Sequence, residues 1–403
     1  MMQANPPRRI AVVDDDAFMV RIMTALIRRC GEHEVVGFDD ARAACAALTA
    51  PQAAFDIVML DLNMPGMDGF EFFHQLAQAH ADCALILFSG ETDEVLRSAE
   101  RLAEAQGLRV VGHLTKPPTL DALETLLSRA GEQHIVASIG EEHFGAEELL
   151  AAVAAGEIYC LYQPVVDLRS AQVVGADARL RWRHRQYGPL GPDAFMRLAQ
   201  RSGMGALLTR EALAMALAAQ RRWRDAGHAL RIAVRVDAQA LDDTDFPDHV
   251  AECCARHGAD PASVVLRLRT ADLAAPSTAA SEALARLRLR KVELALDDFG
   301  SGGMPLLRLD QLGLAAIRVA PAVLARARGG DGAADARVLE ACAAVASIMG
   351  MRPVIGGVAS QAEWALCRKA GFMLGDGPAI SAPLADDEFG AWLGLGGRLR
   401  PAQ

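Results

Sequence analysis

Asp14, Asp15, Asp61, Ser89 and Lys116 are the residues of this chain whose types and spacing could do chemistry. Moving a phosphoryl group onto a carboxylate needs a nucleophilic Asp and further carboxylates to hold Mg²⁺. It also needs a cation and a hydroxyl to stabilise the phosphoryl oxygens. Each of the five follows a short apolar run: Asp14 and Asp15 after Val12 and Val13, Asp61 after residues 57–60, Ser89 after 85–88, and Lys116 just after 110–114. In an open α/β sheet such parts collect at the carboxyl ends of strands. A structural reading stands beside this one, because Asp14, Asp15 and Asp16 could simply cap the helix that follows. Four such sites in order outweigh that reading. Only three of 41 basic residues are lysine, so a lysine kept at 116 argues that a compact ammonium is required there.

The elements that must position these residues alternate. Strand candidates at 10–13, 57–60, 84–88 and 110–114 are separated by helix-period stretches at 18–29, 70–79 and 94–105. That order predicts a parallel sheet with helices on both faces, and the very apolar strands fit burial on both sides. A polar stretch, 131–145, reads as a linker, followed by a helix at 146–155 that Gly156 stops.

VVDDD, MLDLNMPGMDG, LFSGE and LTKPP closely resemble the motifs of receiver domains, over residues 9–130. The resemblance implies a doubly wound (βα)5 flavodoxin-like fold with Asp61 as phosphoacceptor. It further implies Mg²⁺ held by Asp14, Asp15, Asp61 and the backbone carbonyl of Asn63. Ser89 takes the place of the switch hydroxyl and Lys116 that of the phosphate-binding lysine. His113 stands where the family has an aromatic switch residue, a departure that would soften coupling. The partner implied is a sensor histidine kinase.

From Ile158 the strand–helix alternation restarts for about 240 residues, the usual size of an eight-fold β/α barrel. Strand candidates lie at 159–166, 173–182, 232–236, 264–268, 292–296, 316–319, 353–358 and 372–374. LYQPVVDLRSAQVVGADARLRWRHRQYGPLGPDAF and ALDDFGSGG resemble the signatures of EAL domains, barrels that hydrolyse cyclic di-GMP with divalent cations. The resemblance covers 146–395 and implies a (β/α)8 TIM-barrel-like fold. At its site positions the sequence departs. Asp177 stands for the defining glutamate and Arg179 for the leucine of that signature. Arg235 replaces an asparagine ligand and Arg267 a glutamate ligand. Asp297 and Asp298 keep the aspartate pair, Arg318 replaces a lysine, Ala320 an aspartate and Gly356 a glutamate. Gln163, Pro164 and Arg181 match residues that line the family's nucleotide pocket.

Two guanidinium groups facing a divalent-cation site would repel the ion and pair with its carboxylates. Period-two alternation puts Ile232, Val234 and Val236 opposite Arg235, so Arg235 is expected to point inward. With these substitutions no catalytic residue is assigned in the barrel. The leading expectation is therefore a response regulator with a non-enzymatic output, acting through a downstream protein partner or as a homodimer. A non-hydrolysing cyclic di-GMP sensor is the second reading, and a weak phosphodiesterase built on Asp177, Asp297 and Asp298 the third.

Composition narrows the classes. A formal charge of −10 argues against a nucleic-acid-binding surface. Eight cysteines without metal-ligand spacing read as reduced thiols, and no run of about 18 apolar residues could span a bilayer. A start of MMQANPPRRI has no signal-peptide core, so the cytoplasm is the compartment expected, with no membrane partner.

Overall fold

The computed structural model describes residues 8–396 except 51–54, 80–82, 117, 121, 125, 128–129, 131–143, 301–303 and 330–331. Most of the expected linker, Pro117 of LTKPP and the last three residues of ALDDFGSGG lie outside the described residues. The chain separates into two units, Met1–Gly140 and Glu141–Gln403.

In the first unit the strands β1 (Arg9–Val13), β2 (Glu34–Phe38), β3 (Ile57–Leu60), β4 (Ala84–Ser89) and β5 (Arg109–Thr115) form a parallel sheet. Their order is β2-β1-β3-β4-β5. One face carries Ala11, Val13, Val58 and Leu60, and the other Ile10, Val12, Ile57 and Met59; each packs into its own apolar cluster. Burial on both faces explains the unbroken apolar runs. The strand order reverses between β1 and β3, whose register pairs Val13 with Leu60. That switch point sets the residues following both strands side by side, where ligands bind in such sheets. β2 was not among the expected strands. It is an edge strand, half exposed along its length, so it lacks the apolar run that marks its neighbours.

The second unit contains β6 (Ile158–Asp167), β7 (Val173–His184), β8 (Gly188–Leu190), β9 (Arg231–Arg235), β10 (Val264–Arg269) and β11 (Glu293–Phe299). β12 (Ala316–Val319), β13 (Arg352–Ile355) and β14 (Leu374–Gly375) complete it. The order β6-β14-β13-β12-β11-β10-β9-β7-β8, with β6 also paired to β7, closes an eight-stranded barrel to which β8 is appended. β6 runs antiparallel to both neighbours, and the other barrel strands are parallel. β13 and β14 are shorter than the runs expected for them.

Alternation sorts the strand residues. Ile232, Val234, Leu266, Leu268, Leu294 and Leu296 face outward into a core shared with helices such as Gly205–Asp225 and Phe246–His257. Inside, charged and apolar layers alternate. Arg231 and Arg352 flank Glu293 near the amino ends of the parallel strands. Above them a cavity of about 70 Å³ has walls of Gly175, Ala233, Val265, Ala295, Ala316 and Val354. Asp177, Arg267 and Arg318 also line it. Small middle-layer side chains leave that space, where branched residues would ordinarily fill a barrel.

Candidate functional site: a lysine–carboxylate pocket and a charged barrel mouth

Backbone pairing builds the pocket of the first unit. The Asp61 amide donates to the Val13 carbonyl at 2.9 Å, the Asp14 amide to Phe38 at 3.1 Å, and the Lys116 amide to Ser89 at 2.9 Å. These bonds draw the ends of β1 to β5 together. The Lys116 ammonium donates to Asp14 Oδ2 and Asp61 Oδ2, both at 2.7 Å, and lies 4.9 Å from the centre of the Phe88 ring. Asp14, Asp61 and Ser89 are buried, and Asp15 is exposed.

Burial pushes the Asp14 carboxyl above its ordinary value, against the opposing pull of Lys116. For Lys116 burial works against the charge, but hydrogen bonds to Asp14 and Asp61 outweigh it and the ammonium is raised. One lysine thus serves two crowded carboxylates. Asp14, Asp15 and Asp61 offer oxygens that all lie within 4.8 Å of one another, the only such group among the described residues. That donor set, with the Asn63 carbonyl close by in sequence, fits a hard divalent cation such as Mg²⁺.

The capping role belongs to a third aspartate: Asp16 accepts from the Phe18 amide at the start of Ala17–Cys30. Helix capping and the carboxylate cluster are therefore divided between neighbours. His113 pairs with Glu100 of the helix Asp93–Ala105 at 2.9 Å. A β-bulge places one extra residue of β5 just before it, where Gly112 has φ +150°. Bulges of this kind re-aim side chains.

At the carboxyl ends of the barrel strands a ring of alternating charges closes on itself. Arg267 reaches Asp177 at 3.0 Å and Asp297 at 3.8 Å. Arg318 reaches Asp297 at 3.5 Å and also pairs with Asp376. Arg179 joins Asp376 at 3.1 Å and Asp177 at 3.3 Å, which completes the circuit. Outside the ring Arg235 holds Asp298 at 2.7 Å and touches Asp297 at 3.9 Å. Alternation alone would send Asp297 and Asp298 to opposite faces. A register shift and a left-handed backbone at Asp298 (φ +59°) bring both within reach of Arg235.

Burial favours protonation of Asp297 and Asp376, yet surrounding arginines hold both carboxyls below their ordinary value. Arg267, Arg318 and Arg235 act on Asp297, and Arg318, Arg179 and Arg267 on Asp376. Arg318 is correspondingly raised although burial opposes its charge, chiefly by Asp376. Each of the four carboxylates contacts at least one guanidinium, and the buried Asp177 Oδ1 has no hydrogen-bond partner. Oxygens so occupied do not fit a pair of divalent cations, which need several free oxygen ligands converging on one point.

The ring includes Asp177, Arg179, Arg267, Asp297 and Arg318 of the expected site, with Arg235 and Asp298 attached. Arg267 lies closer to Asp177 than to the expected Asp297. Gly356 borders Arg318, while Ala320 is buried in an apolar cluster with Val323 and Leu324. Gln163 donates to the Ser381 carbonyl at 2.8 Å and pairs in register with Asp177, beside buried Pro164. Arg181 donates to the Leu180 carbonyl, its charge disfavoured by burial and by Arg179. Asp376 was missed. The signal available was an acidic residue directly after a short strand, in LGDGP. All eight cysteines are free, and no described helix is long and apolar enough to cross a membrane.

The response regulator receiver domain model matches residues 10–128 and the EAL domain model residues 146–383. The cyclic di-GMP phosphodiesterase RocR of Pseudomonas aeruginosa is 24% identical over 94% of this chain and 97% of its own length. The probable cyclic di-GMP phosphodiesterase PdeN of Escherichia coli is 29% identical over 61% of this chain and 47% of its own. Among solved structures, the PaMucR phosphodiesterase in complex with c-di-GMP aligns with TM-score 0.57 and 25% identity, over 60% of this chain and 98% of that one. These relatives overturn the expectation of a non-enzymatic barrel: proteins named as phosphodiesterases share its frame, one of them end to end. The charged ring describes which ligands the carboxylates hold, and turnover is a separate measurement.

Proposed function

Because this chain belongs to the EAL domain family and carries a receiver domain, we propose that it is a phosphorylation-controlled response regulator with an output directed at cyclic di-GMP. The observation that carries this reading is Lys116 bridging Asp14 and Asp61 beside Asp15, within a chain that matches RocR over nearly its whole length.

In this reading a sensor histidine kinase is the phosphodonor. A carboxylate oxygen of Asp61 attacks phosphorus, the bond from phosphorus to the donor's imidazole nitrogen breaks, and the electron pair leaves with the imidazole. Mg²⁺, held by Asp14, Asp15, Asp61 and the Asn63 carbonyl, would supply positive charge to the phosphoryl oxygens. Lys116 exchanges its Asp61 carboxylate contact for a phosphoryl oxygen, and Ser89 donates to another. His113 and Glu100 carry the change to the helix Asp93–Ala105. Gln163, Pro164 and Arg181 are the nucleotide contacts of the barrel. A downstream protein partner or a second copy of the chain, in the cytoplasm, would receive the signal.

Full-length protein exposed to acetyl phosphate, with Asp61→Asn as control, tests the input. Cyclic di-GMP binding and turnover, measured with and without beryllofluoride, test the output. Label on the Asp61→Asn variant, or a wild type that neither binds nor cleaves the nucleotide, would sink the reading.

A further inference from the structure

We propose that the barrel mouth holds a phosphodiester through the guanidinium groups of Arg179 and Arg235, without a divalent cation. This rests on the reading of the barrel as directed at cyclic di-GMP and adds how the ligand's phosphates are held.

The argument begins with charge. A cation-dependent phosphate site concentrates positive charge on ions held by carboxylates. Here four carboxylates are already matched by four guanidiniums, and the positive charge is fixed to the chain. Those guanidiniums are not equivalent. The side chains of Arg267 and Arg318 are 11% and 8% exposed, whereas those of Arg179 and Arg235 are 31% and 46% exposed. In the contacts described, Arg179 uses Nε and Nη2 and Arg235 uses the same two atoms. Nη1 of each takes no part in them.

Arginine carries five N–H donors in a rigid plane, so a guanidinium can serve a carboxylate on one edge and a phosphate on another. Asp298, half exposed beside Arg235, would repel a phosphate on its own, and the 2.7 Å pair cancels most of that charge. Arg181, two residues beyond Arg179 on the same strand face, adds a second cation on that side. A cyclic dinucleotide presents two phosphodiesters, and the mouth presents two half-exposed guanidiniums on different strands, β7 and β9.

Calorimetric titration of the full-length chain with cyclic di-GMP, in EDTA and again in excess Mg²⁺ or Mn²⁺, tests this. Affinity should be the same in both. Arg179→Leu and Arg235→Asn should each weaken it about tenfold, near the worth of one charge-assisted hydrogen bond. Arg179→Lys and Arg235→Lys, checked for folding by circular dichroism, should fall between, since charge is kept and the planar fork lost. Binding that needs the cation, or that ignores all four substitutions, would overturn the proposal and leave the cyclic di-GMP reading standing. Absence of binding and of turnover with or without cation would remove both.

Discussion

The guanidinium of Arg318 fills the space that a side chain at Gly356 would need: a Cβ on that glycine would lie inside van der Waals contact with Nη2. The two positions are one packing decision. Where the resemblance to EAL domains implies a lysine and a glutamate at these positions, this chain has a larger, buried cation and no side chain at all.

Gly356→Glu should therefore destabilise the barrel unit by about 1–3 kcal/mol, the range for overpacking a filled interior. Adding Arg318→Lys should recover part of that loss. Thermal unfolding of both variants checks it, and strictly additive effects would show that the residues are uncoupled.

Asp376 answers both Arg318 and Arg179 while fully buried. Asp376→Asn would leave the buried Arg318 and the part-buried Arg179 with half their partners, at a cost of about 3–5 kcal/mol. Urea unfolding should show a lower midpoint at unchanged slope.

Asp297 and Asp376 titrate below their ordinary 3.8 in the folded barrel. Groups depressed by folding contribute stability above the unfolded value, and that contribution disappears as pH falls through the folded ones. Acid unfolding of the barrel should begin below about pH 3.8, with Asp376→Asn flattening the dependence. A near-UV circular dichroism titration reads this directly.

Asp14 shifts the other way. Raised by burial, it costs the pocket stability as pH rises through its folded value, and a bound cation relieves that cost. Mg²⁺ at a hundredfold excess over its Kd should stabilise the first unit by about 2.7 kcal/mol. Asp15→Asn should remove most of the effect.

Asp16→Ala separates capping from chemistry. It should cost about 1 kcal/mol in unfolding experiments while phosphoryl incorporation at Asp61 is unchanged. Loss of labelling would return Asp16 to the pocket.

How much of this was legible in the sequence follows from burial. β1, β3 and β4 are covered on both faces, so their apolar runs announced themselves, and the site residues after them were found by position alone. β2 has only its edge and half its surface against the core, and Glu34 and Gly37 hide it. In the barrel, period two correctly gave the inward direction of Arg235. The choice of partner was less accessible: Arg267 lies closer to Asp177, two strands away across β9, than to Asp297 on the adjacent β11, a preference that strand alternation does not encode. Asp376 was hidden for a related reason. Its strand is two residues long, too short to show any period. A list of substituted positions suggested dismantling; what closure reveals is that the substitutions satisfy one another.

A circuit in which every acid leans on two bases, and every base on two acids, leaves a lineage few exits. Any lone replacement within it strands a charge in the interior, so change must come as matched pairs. Arg318 and Gly356 sharpen that constraint, since a glutamate fits at 356 only where the arginine side chain has given way.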